Sequence, residues 1–459
     1  MRQRILSLPR VDVFVDTEAA LGPLEGWRHT LGHGGINAVP LPSRVVEGVH
    51  KLQPRLLRIF LQEFFQVYPE HGRFDWRRLD PYMDALARTG AKIVADISLK
   101  PRALFPAIDQ ALWKPADVAA WQRLIFALVR RYSVEKPVVT HWEIGNETDI
   151  GEDGGTPYLI PDPEAYTEFY RMTIQPILEA FPEAKVGGPA ACWIDNEPLP
   201  GFVARCREAN TPLHFLSWHL YSDDPDRHAA GVRKAKALLD GFPGPRPEMM
   251  VTEWSCGFDP VSVEELAFDS QRAAITAASI LAMMEAGLDW SFYYHIWDQV
   301  CYPNDFEPFF SPQGIANMVT HWNEVPHRFG LFGVGEEVRP QYFVYQMLSR
   351  LGEERIAAQS DAPGLRLLAA RSEGKPSVFI VNHNPQEPQD RIVTVHFLHP
   401  GTGRKRLTVS RIDAERRWDP ESLELLPTER REVATLDAFR CQVFCPADSV
   451  VLLTLEDMR

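Results

Sequence analysis

The stretch His141-Trp142-Glu143-Ile144-Gly145-Asn146-Glu147 follows a short apolar run, Pro137 to Thr140, and precedes a polar, glycine-rich segment, Asp149 to Gly155. The pattern predicts a strand that ends at Asn146 and Glu147 and opens into a loop. Such a strand end holds a carboxyl group on a rigid backbone, while the loop gives a ligand access to it. Because a lone glutamate at a strand end is more often a solvated charge than a catalyst, its meaning depends on a partner elsewhere in the chain.

Short apolar runs and helical patterns alternate on both sides of this stretch. Leu56 to Leu61 is nearly continuous in apolar residues, which is typical of a strand buried on both faces. Asp75 to Thr89 has apolar residues at helical spacing, and Gly90 ends it. The predicted strands are Leu31–Asn37, Leu56–Leu61, Ile93–Ile97, Val138–Ile144, Lys185–Pro189, Phe215–Tyr221, Met249–Trp254 and Trp290–Ile296. The predicted helices between them are Asp75–Thr89, Asp117–Tyr132, Pro163–Phe181, Pro198–Ala209, Arg227–Leu239 and Ser262–Ala286, the last with a Ser262-x-x-Glu265 capping box.

Eight strands that alternate with helices favour a closed (β/α)₈ barrel. An open doubly wound sheet is the alternative, and the lack of a Gly-x-Gly-x-x-Gly turn weakens it. After Leu351 the rhythm changes to short strands without helices, which predicts an all-β domain, a β-sandwich. Its predicted strands are Leu365–Ala370, Ser377–Asn382, Ile392–Leu398, Arg406–Ile412 and Val450–Leu455. We therefore divide the chain into an N-terminal segment, 1–30, whose strand Val11–Val15 is a candidate to join the sandwich, a barrel, 31–352, and a sandwich, 353–459.

Composition excludes several classes of function. The 459 residues carry a net charge of −14, which argues against nucleic acid or an anionic membrane as the main partner. No apolar run approaches the roughly 20 residues of a membrane helix, and Pro9, Arg10 and Asp12 interrupt any signal-peptide core, so a cytoplasmic location is expected. The six cysteines have no Cys-x-x-Cys spacing, which indicates neither a zinc site nor a disulfide framework.

Catalytic groups of a (β/α)₈ barrel lie at the carboxyl ends of its strands. The fourth predicted strand leads to Glu147, and the seventh carries Glu253. Two glutamates across one barrel mouth suit a retaining glycosidase, in which one attacks the anomeric carbon and the other protonates the leaving oxygen. The carboxyl groups of such pairs are about 5 to 5.5 Å apart.

Other polar and aromatic residues at the strand ends are candidate binding residues. Arg58 interrupts an apolar run, and a buried guanidinium requires a carboxylate partner. With the sixth-strand residues, it is positioned to hydrogen-bond the nucleophile and keep it ionised. Aromatic rings at strand ends are candidate floors for a sugar ring, although most aromatics fill cores. The remaining substrate-binding candidates are His33, Lys100, His219, Tyr221, Trp254 and Trp297.

The motifs from Leu56 to Gly352 resemble glycoside hydrolase family 39, the β-xylosidase and α-L-iduronidase family of clan A. Trp142 to Glu147 resembles the Glu-x-x-Asn-Glu motif of the clan's fourth strand, and Val251 to Trp254 resembles its nucleophile segment. The order and spacing of several motifs make this resemblance more specific than any one of them. The other matching segments are Phe74-Asp75-Trp76 with Leu79-Asp80, Val186 to Ala190, Phe215 to Tyr221, and Arg339 to Gly352.

The resemblance assigns roles residue by residue. It implies that Glu147 is the acid/base, Glu253 the nucleophile, and Asn146 the residue that contacts the sugar 2-hydroxyl. It also implies site roles for His219, Tyr221 and Arg58, and matches Glu143 to a family glutamate. Two positions depart from the pattern, because Gly145 stands where the family commonly has Trp and Thr148 where it commonly has Pro. Both bear on the aglycone side of the site.

The sequence thus predicts a retaining glycosidase of the β-xylosidase-like, exo-acting kind that cleaves an equatorial glycosidic bond without cofactor or metal. Its partner is a carbohydrate substrate. The alternatives are an endo-acting glycanase and a non-hydrolytic carbohydrate-binding protein on the same barrel, for which the two glutamates would be only hydrogen-bond acceptors. A phosphate-handling barrel enzyme would need a glycine-rich turn after the seventh or eighth strand, and only Cys256-Gly257 is found there.

Overall fold

Eight parallel strands close into a barrel in the computed structural model, which describes residues 8–257, 270–415 and 418–458. Strands are numbered along the chain, and β1 (Arg10–Pro23) belongs to a second sheet. The barrel strands are β2 (His29–His33), β3 (Leu56–Gln62), β4 (Lys92–Ser98), β5 (Val139–Ile144), β6 (Lys185–Ala191), β7 (Phe215–Tyr221), β8 (Glu248–Ser255) and β9 (Trp290–Tyr294). Because β9 pairs with β2 and closes the ring, the predicted (β/α)₈ barrel is confirmed and the open sheet is excluded.

The alternation of side chains along β3 shows how the barrel positions polar groups. All seven residues of β3 are buried, as its near-continuous apolar run predicts. Leu57, Ile59 and Leu61 belong to the apolar layer between strands and helices, so Arg58 and Gln62 face the barrel interior. A separate apolar cluster fills the interior at the amino ends of the strands: Leu56, Val94, Phe215, Met250, Trp290 and Phe292. The polar side chains of the barrel interior therefore lie towards the carboxyl ends of the strands.

Helices follow most barrel strands and shield them from solvent. They are α1 (Ser43–Lys51), α2 (Leu79–Ala87), α3 (Val118–Val129), α4 (Pro163–Ala180), α5 (Leu199–Glu208), α6 (Pro225–Leu239), α7 (Ser270–Ala286), α8 (Pro303–Phe306), α9 (Pro312–Val319) and α10 (Pro340–Ser349). The helix predicted over 75–89 begins only at Leu79. The predicted capping box, Ser262 to Glu265, and the beginning of its helix lie outside the described residues.

The second sheet has nine strands and joins both ends of the chain. Its spatial order is β15-β14-β17-β12-β11-β10-β1-β13-β16. The C-terminal strands are β10 (Glu354–Gln359), β11 (Leu365–Ser372), β12 (Lys375–Asn382), β13 (Arg391–Leu398), β14 (Gly403–Ile412), β15 (Glu429–Thr435), β16 (Ala438–Cys445) and β17 (Ser449–Asp457). β1 lies between β10 and β13, antiparallel to the first and parallel to the second. The strands β10, β15 and β16 are absent from the sequence prediction, because their exposed, charged residues weaken the apolar pattern.

Residues of β12 show how this sheet packs on both of its faces. Val378 and Ile380 point into the sheet's own core, which residues of β1, β13, β14, β16 and β17 complete. The sheet therefore curls around that core as the predicted sandwich. Phe379 and Val381 point the other way and belong to the apolar layer of the barrel. Within the described part of the chain, no helix combines the length and apolar content that crossing a membrane requires.

Phe397→Ala tests whether the sandwich core is a major source of stability. Phe397 is fully buried in that core, so we expect its truncation to lower the free energy of unfolding by about 3–5 kcal/mol. Phe444→Ala is the matched control, because Phe444 lies in the same sheet but is 39% exposed; we expect about 1 kcal/mol or less. Urea unfolding followed by circular dichroism measures both, and equal losses would contradict the packing described.

Candidate active site

The carboxyl ends of four barrel strands bring the main predicted site residues together. Arg58 comes from β3, His219 and Tyr221 from β7, and Glu253 from β8. Glu147 follows β5 and lies within hydrogen-bond distance of His219. All of these side chains are largely buried, so each one needs a partner inside the protein.

Arg58 is the centre of a buried ion-pair network. Its Nε donates to Glu143 Oε2 at 2.8 Å, its Nη1 to Glu253 Oε2 at 2.8 Å, and its Nη2 to Asn146 Oδ1 at 2.7 Å. The carboxylate partner that the apolar run around Arg58 predicted is therefore present, and there are two. Burial raises the pKa of the neighbouring Asp96 to about 8. Asp96 is therefore mostly protonated at neutral pH. The positive charge of the Arg58 guanidinium is balanced by Glu143 and Glu253.

Glu253 is held by two donors. Besides Arg58, the Tyr221 hydroxyl donates to Glu253 Oε1. Burial raises the pKa of Glu253 above its ordinary value, although the charge of Arg58 and the Tyr221 hydrogen bond oppose that shift. Both donors point at carboxylate oxygens, so they stabilise the ionised form that a nucleophile requires.

Glu147 has the opposite electrostatic environment. Burial raises its pKa well above the ordinary value of 4.5, and the charges of Glu253 and Asp149 raise it further. His219 Nδ1 lies 2.8 Å from Glu147 Oε1, and burial lowers the pKa of His219 well below 6.5. A neutral imidazole adds no positive charge to favour the carboxylate. Glu147 is therefore the carboxyl of the pair that keeps its proton to higher pH, as a general acid does.

The backbone around Glu147 is unusual. Gly145 has φ +82° and Glu147 has φ +40°, so two of three consecutive residues lie in the region that L side chains rarely adopt. A Cβ at Gly145 would also meet Thr148 Cγ2 at 2.8 Å. The two positions that depart from the family pattern therefore touch, and a large residue at 145 does not fit beside Thr148. Gly145 and Thr148 together therefore determine the backbone conformation at the end of β5.

The two carboxyl groups face each other across a short gap. One oxygen of Glu147, one oxygen of Glu253 and a ring nitrogen of His219 all lie within 4.8 Å of one another. Among the described residues, these three side chains form the one group of His, Cys, Asp and Glu residues that is close enough to share a cation. Oxygens of both carboxyl groups already accept or share hydrogen bonds, and the Arg58 guanidinium lies beside Glu253, which disfavours a cation there.

A cavity of about 630 Å³ opens above the pair. Its base contains Glu147, Glu253, Asn146 and Tyr221, four of the predicted site residues. The loop after β5 forms one wall, and residues 317–329 form another. A one-turn 3₁₀ helix, Gly151–Gly154, stands in that loop, and Glu152 ties it to the amino end of α9 by accepting from Ser311 N at 2.9 Å.

Trp254 and Lys100 do not contribute to this cavity. Trp254 is 1% exposed and packs against His228 and Tyr293 in the layer between strands and helices. The predicted sugar floor at Trp254 is therefore wrong, because Glu253 faces inward and its neighbour on the strand must face outward. Lys100 Nζ donates to the carbonyls of Asp109 and Pro157, each at 2.8 Å, and fastens two loops instead of reading a substrate.

His33 and Trp297 lie against each other outside the cavity lining. Their ring centroids are 6.3 Å apart, and His33 also stacks on His295 at 5.9 Å. His33 is fully buried, and burial lowers its pKa well below 6.5. Neither ring is among the described residues that line the cavity, so the predicted contact with substrate is not supported.

Several cavity residues were not predicted from the sequence. Gln62 Nε2 donates to Gly155 O at 2.7 Å, while Gln62 Oε1 is buried and has no hydrogen-bond partner among the described residues. Gln62 is the last residue of β3, four after Arg58, so strand alternation places it on the inner face and would have found it. Strand alternation also places Tyr294, at the end of β9, on the inner face of the barrel. Trp193 and Trp322 lie in loops, where no periodic pattern marks them.

Comparisons with known proteins point to one family of glycoside hydrolases. The model of glycosyl hydrolases family 39 matches residues 48–238. A β-xylosidase of Geobacillus stearothermophilus is 21% identical over 338 residues, which are 67% of this chain and 62% of that protein. A β-xylosidase of Caldicellulosiruptor saccharolyticus is 24% identical over 349 residues, which are 69% of this chain and 65% of that protein. Over these residues, the chain is similar to glycosyl hydrolases family 39. It spans a little under two thirds of the length of these two relatives.

The fold of this chain is also that of solved structures. The GH39 enzyme from Xanthomonas axonopodis pv. citri superposes with a TM-score of 0.77 at 20% identity, and the match covers 98% of both chains. At that identity, the likeness shows a shared fold. The barrel and the sandwich are thus both features of the fold.

Tyr221→Phe tests the hydrogen bond that the Tyr221 hydroxyl gives to Glu253. The bond lowers the pKa of Glu253, so its loss raises that pKa, and the carboxylate forms only at higher pH. We expect the acidic limb of kcat/KM against pH, measured with 4-nitrophenyl β-D-xyloside, to move up by about one pH unit.

Tyr293→Phe is the control, because its buried hydroxyl donates to Phe329 O at 3.0 Å and not to a carboxylate. Its acidic limb should coincide with that of the unaltered protein. An acidic limb that stays in place in Tyr221→Phe, or moves to lower pH, would contradict the role given to Tyr221.

Proposed function

We propose that this chain is a retaining glycoside hydrolase that cleaves an equatorial O-glycosidic bond, with β-xylosidase-like exo action on a carbohydrate substrate. The observation that carries the proposal is the pair of carboxyl oxygens, Glu147 and Glu253, within 4.8 Å of each other. This spacing suits carboxyl groups about 5–5.5 Å apart, whereas an inverting pair is about 6.5–9.5 Å apart to admit a water.

The first step of the proposed reaction forms a glycosyl ester. A carboxylate oxygen of Glu253 attacks the anomeric carbon while Glu147 gives its proton to the glycosidic oxygen, and the alcohol leaves. Hydrogen bonds from Arg58 and Tyr221 keep Glu253 ionised before the attack. Asn146, fixed by Arg58, lies at the cavity base, where it would contact the sugar 2-hydroxyl.

The second step returns the enzyme to its starting state. Glu147, now a carboxylate, takes a proton from a water molecule, whose oxygen attacks the anomeric carbon and releases Glu253. Two inversions leave the sugar with its original configuration. The raised pKa of Glu147 suits both halves of this cycle, because a group that titrates near the working pH can give and take a proton.

The alternatives explain less of the site. A non-hydrolytic binding protein has no need for two facing carboxyl groups with donors on one and a raised pKa on the other. An endo-acting glycanase needs an open groove for a chain that extends in both directions. Here the 3₁₀ turn Gly151–Gly154, bonded to α9, stands beside Glu147 and favours exo action.

Glu253→Ala tests the nucleophile. We expect hydrolysis of 4-nitrophenyl β-glycosides to stop, because the attacking oxygen is gone. Added azide should restore turnover and give a glycosyl azide of inverted configuration, identified by NMR, since azide replaces only one of the two displacements. Glu164→Ala, at a side chain that is 76% exposed, is the control and should retain activity. Full activity of Glu253→Ala, or inversion by the unaltered protein, would overturn the mechanism.

Glu147→Ala tests the acid. We expect kcat/KM to fall about 10²- to 10⁴-fold for an alkyl glycoside, whose leaving oxygen needs a proton. A 2,4-dinitrophenyl glycoside of the same sugar should lose far less, because its leaving group departs as an anion. Equal losses on the two substrates would argue that Glu147 has another role.

A further inference from the structure

Apolar side chains line part of the cavity wall beside Glu147. A Cβ at Gly154 would lie 2.3 Å from Glu147 Oε2 and 3.0 Å from Ile150 Cδ1, so the 3₁₀ turn packs directly on the carboxyl. Next along this wall, a Cβ at Gly155 would lie 3.7 Å from Met318 Sδ. Cys192 lines the same cavity. Beyond the Glu147 carboxyl, therefore, a ligand meets mainly hydrocarbon and sulfur.

The polar side chains of the same wall are occupied by one another. The Glu152 carboxyl accepts from the backbone N–H and the hydroxyl of Ser311. Asn317 Nδ2 donates to Asp153 Oδ1 at 2.8 Å, and Thr320 Oγ1 donates to Glu324 Oε2 at 3.1 Å. A sugar placed here would meet groups that already have partners.

The base of the cavity around Glu253 has the reverse character. The Asn146, Tyr221 and Glu253 side chains line it. This part can satisfy the hydroxyl groups of a sugar ring. The cavity is thus divided into a polar half at Glu253 and an apolar half at Glu147.

We propose that the aglycone of the natural substrate is a hydrophobic alcohol or phenol and not a second sugar. This inference rests on the proposed function, in which Glu147 protonates the leaving oxygen and the leaving group therefore lies on its side of the cavity. The glycone occupies the polar half. The aglycone packs against Ile150, Met318 and the half-buried Trp193, which line the cavity on that side.

The experiment measures kcat/KM for methyl, n-butyl and n-hexyl β-D-xylopyranosides and for xylobiose, or for the same series on the sugar that a 4-nitrophenyl glycoside screen selects. The primary alcohols have similar acidity, so differences within the series report binding of the chain and not the chemistry of departure. We expect kcat/KM to rise about two- to fourfold for each methylene, and the hexyl glycoside to exceed xylobiose.

Two substitutions locate the effect. Met318→Gln keeps the length of the side chain and adds an amide, so we expect it to lower kcat/KM for the hexyl glycoside about tenfold and leave the methyl glycoside within twofold. Ile150→Thr should likewise reduce the rise of kcat/KM with alkyl chain length. It is the second test variant if Met318→Gln does not fold. Met172→Gln is the matched control, because Met172 is 9% exposed on α4 while Met318 is 5% exposed. It should behave as the unaltered protein.

The outcomes separate the two proposals. Turnover of 4-nitrophenyl and methyl glycosides with a flat alkyl series, or with xylobiose as the better substrate, overturns the hydrophobic aglycone and leaves the glycosidase intact. Turnover of no glycoside in the screen overturns the proposed function, and the aglycone falls with it. A rising series that Met318→Gln flattens and Met172→Gln preserves establishes both.

Discussion

A buried guanidinium is the constraint on which the site depends. Arg58 has no access to solvent, and a charge in that position is tolerated only when carboxylates and hydrogen bonds replace water. Its three donor nitrogens reach Glu143, Glu253 and Asn146, which come from β5, β8 and the loop after β5. Arg58 therefore holds three parts of the barrel mouth in one geometry. That network orients Glu253 and stabilises the ionised form of its carboxyl group.

The second carboxyl owes its character to exclusion from this network. Glu147 faces His219, whose imidazole is neutral because burial lowers its pKa, and it lies beneath the Gly154 backbone. Among the described residues, no cation pairs directly with Glu147, and burial raises its pKa. The two glutamates therefore have different surroundings, which suits the proposed division into a nucleophile and an acid.

Strand periodicity explains where the structure places the predicted site residues. Arg58 within an apolar run implied a buried carboxylate partner, and the structure supplies two. The same alternation places Gln62 inside and Trp254 outside, because Gln62 is an even number of residues from Arg58 and Trp254 is adjacent to the inward-facing Glu253. The prediction for Trp254 failed because proximity in sequence was taken for proximity in space. For His33 and Trp297 the local pattern holds no such information, since each lies where a strand has ended or is ending.

By itself, the sequence determined the alternation of strands and helices, the closed barrel, the sandwich after Leu351 and the facing glutamates, because these follow from apolar periodicity and from short motifs along the chain. Tertiary structure alone decided the divided cavity. Its apolar half brings Ile150 and Trp193 together with Met318, which lies more than 100 positions later in the chain. The polar side chains of that half are hydrogen-bonded to other protein groups, as Glu152 is to Ser311. A local pattern cannot encode such contacts, because they exist only after the barrel has brought separate loops to one mouth.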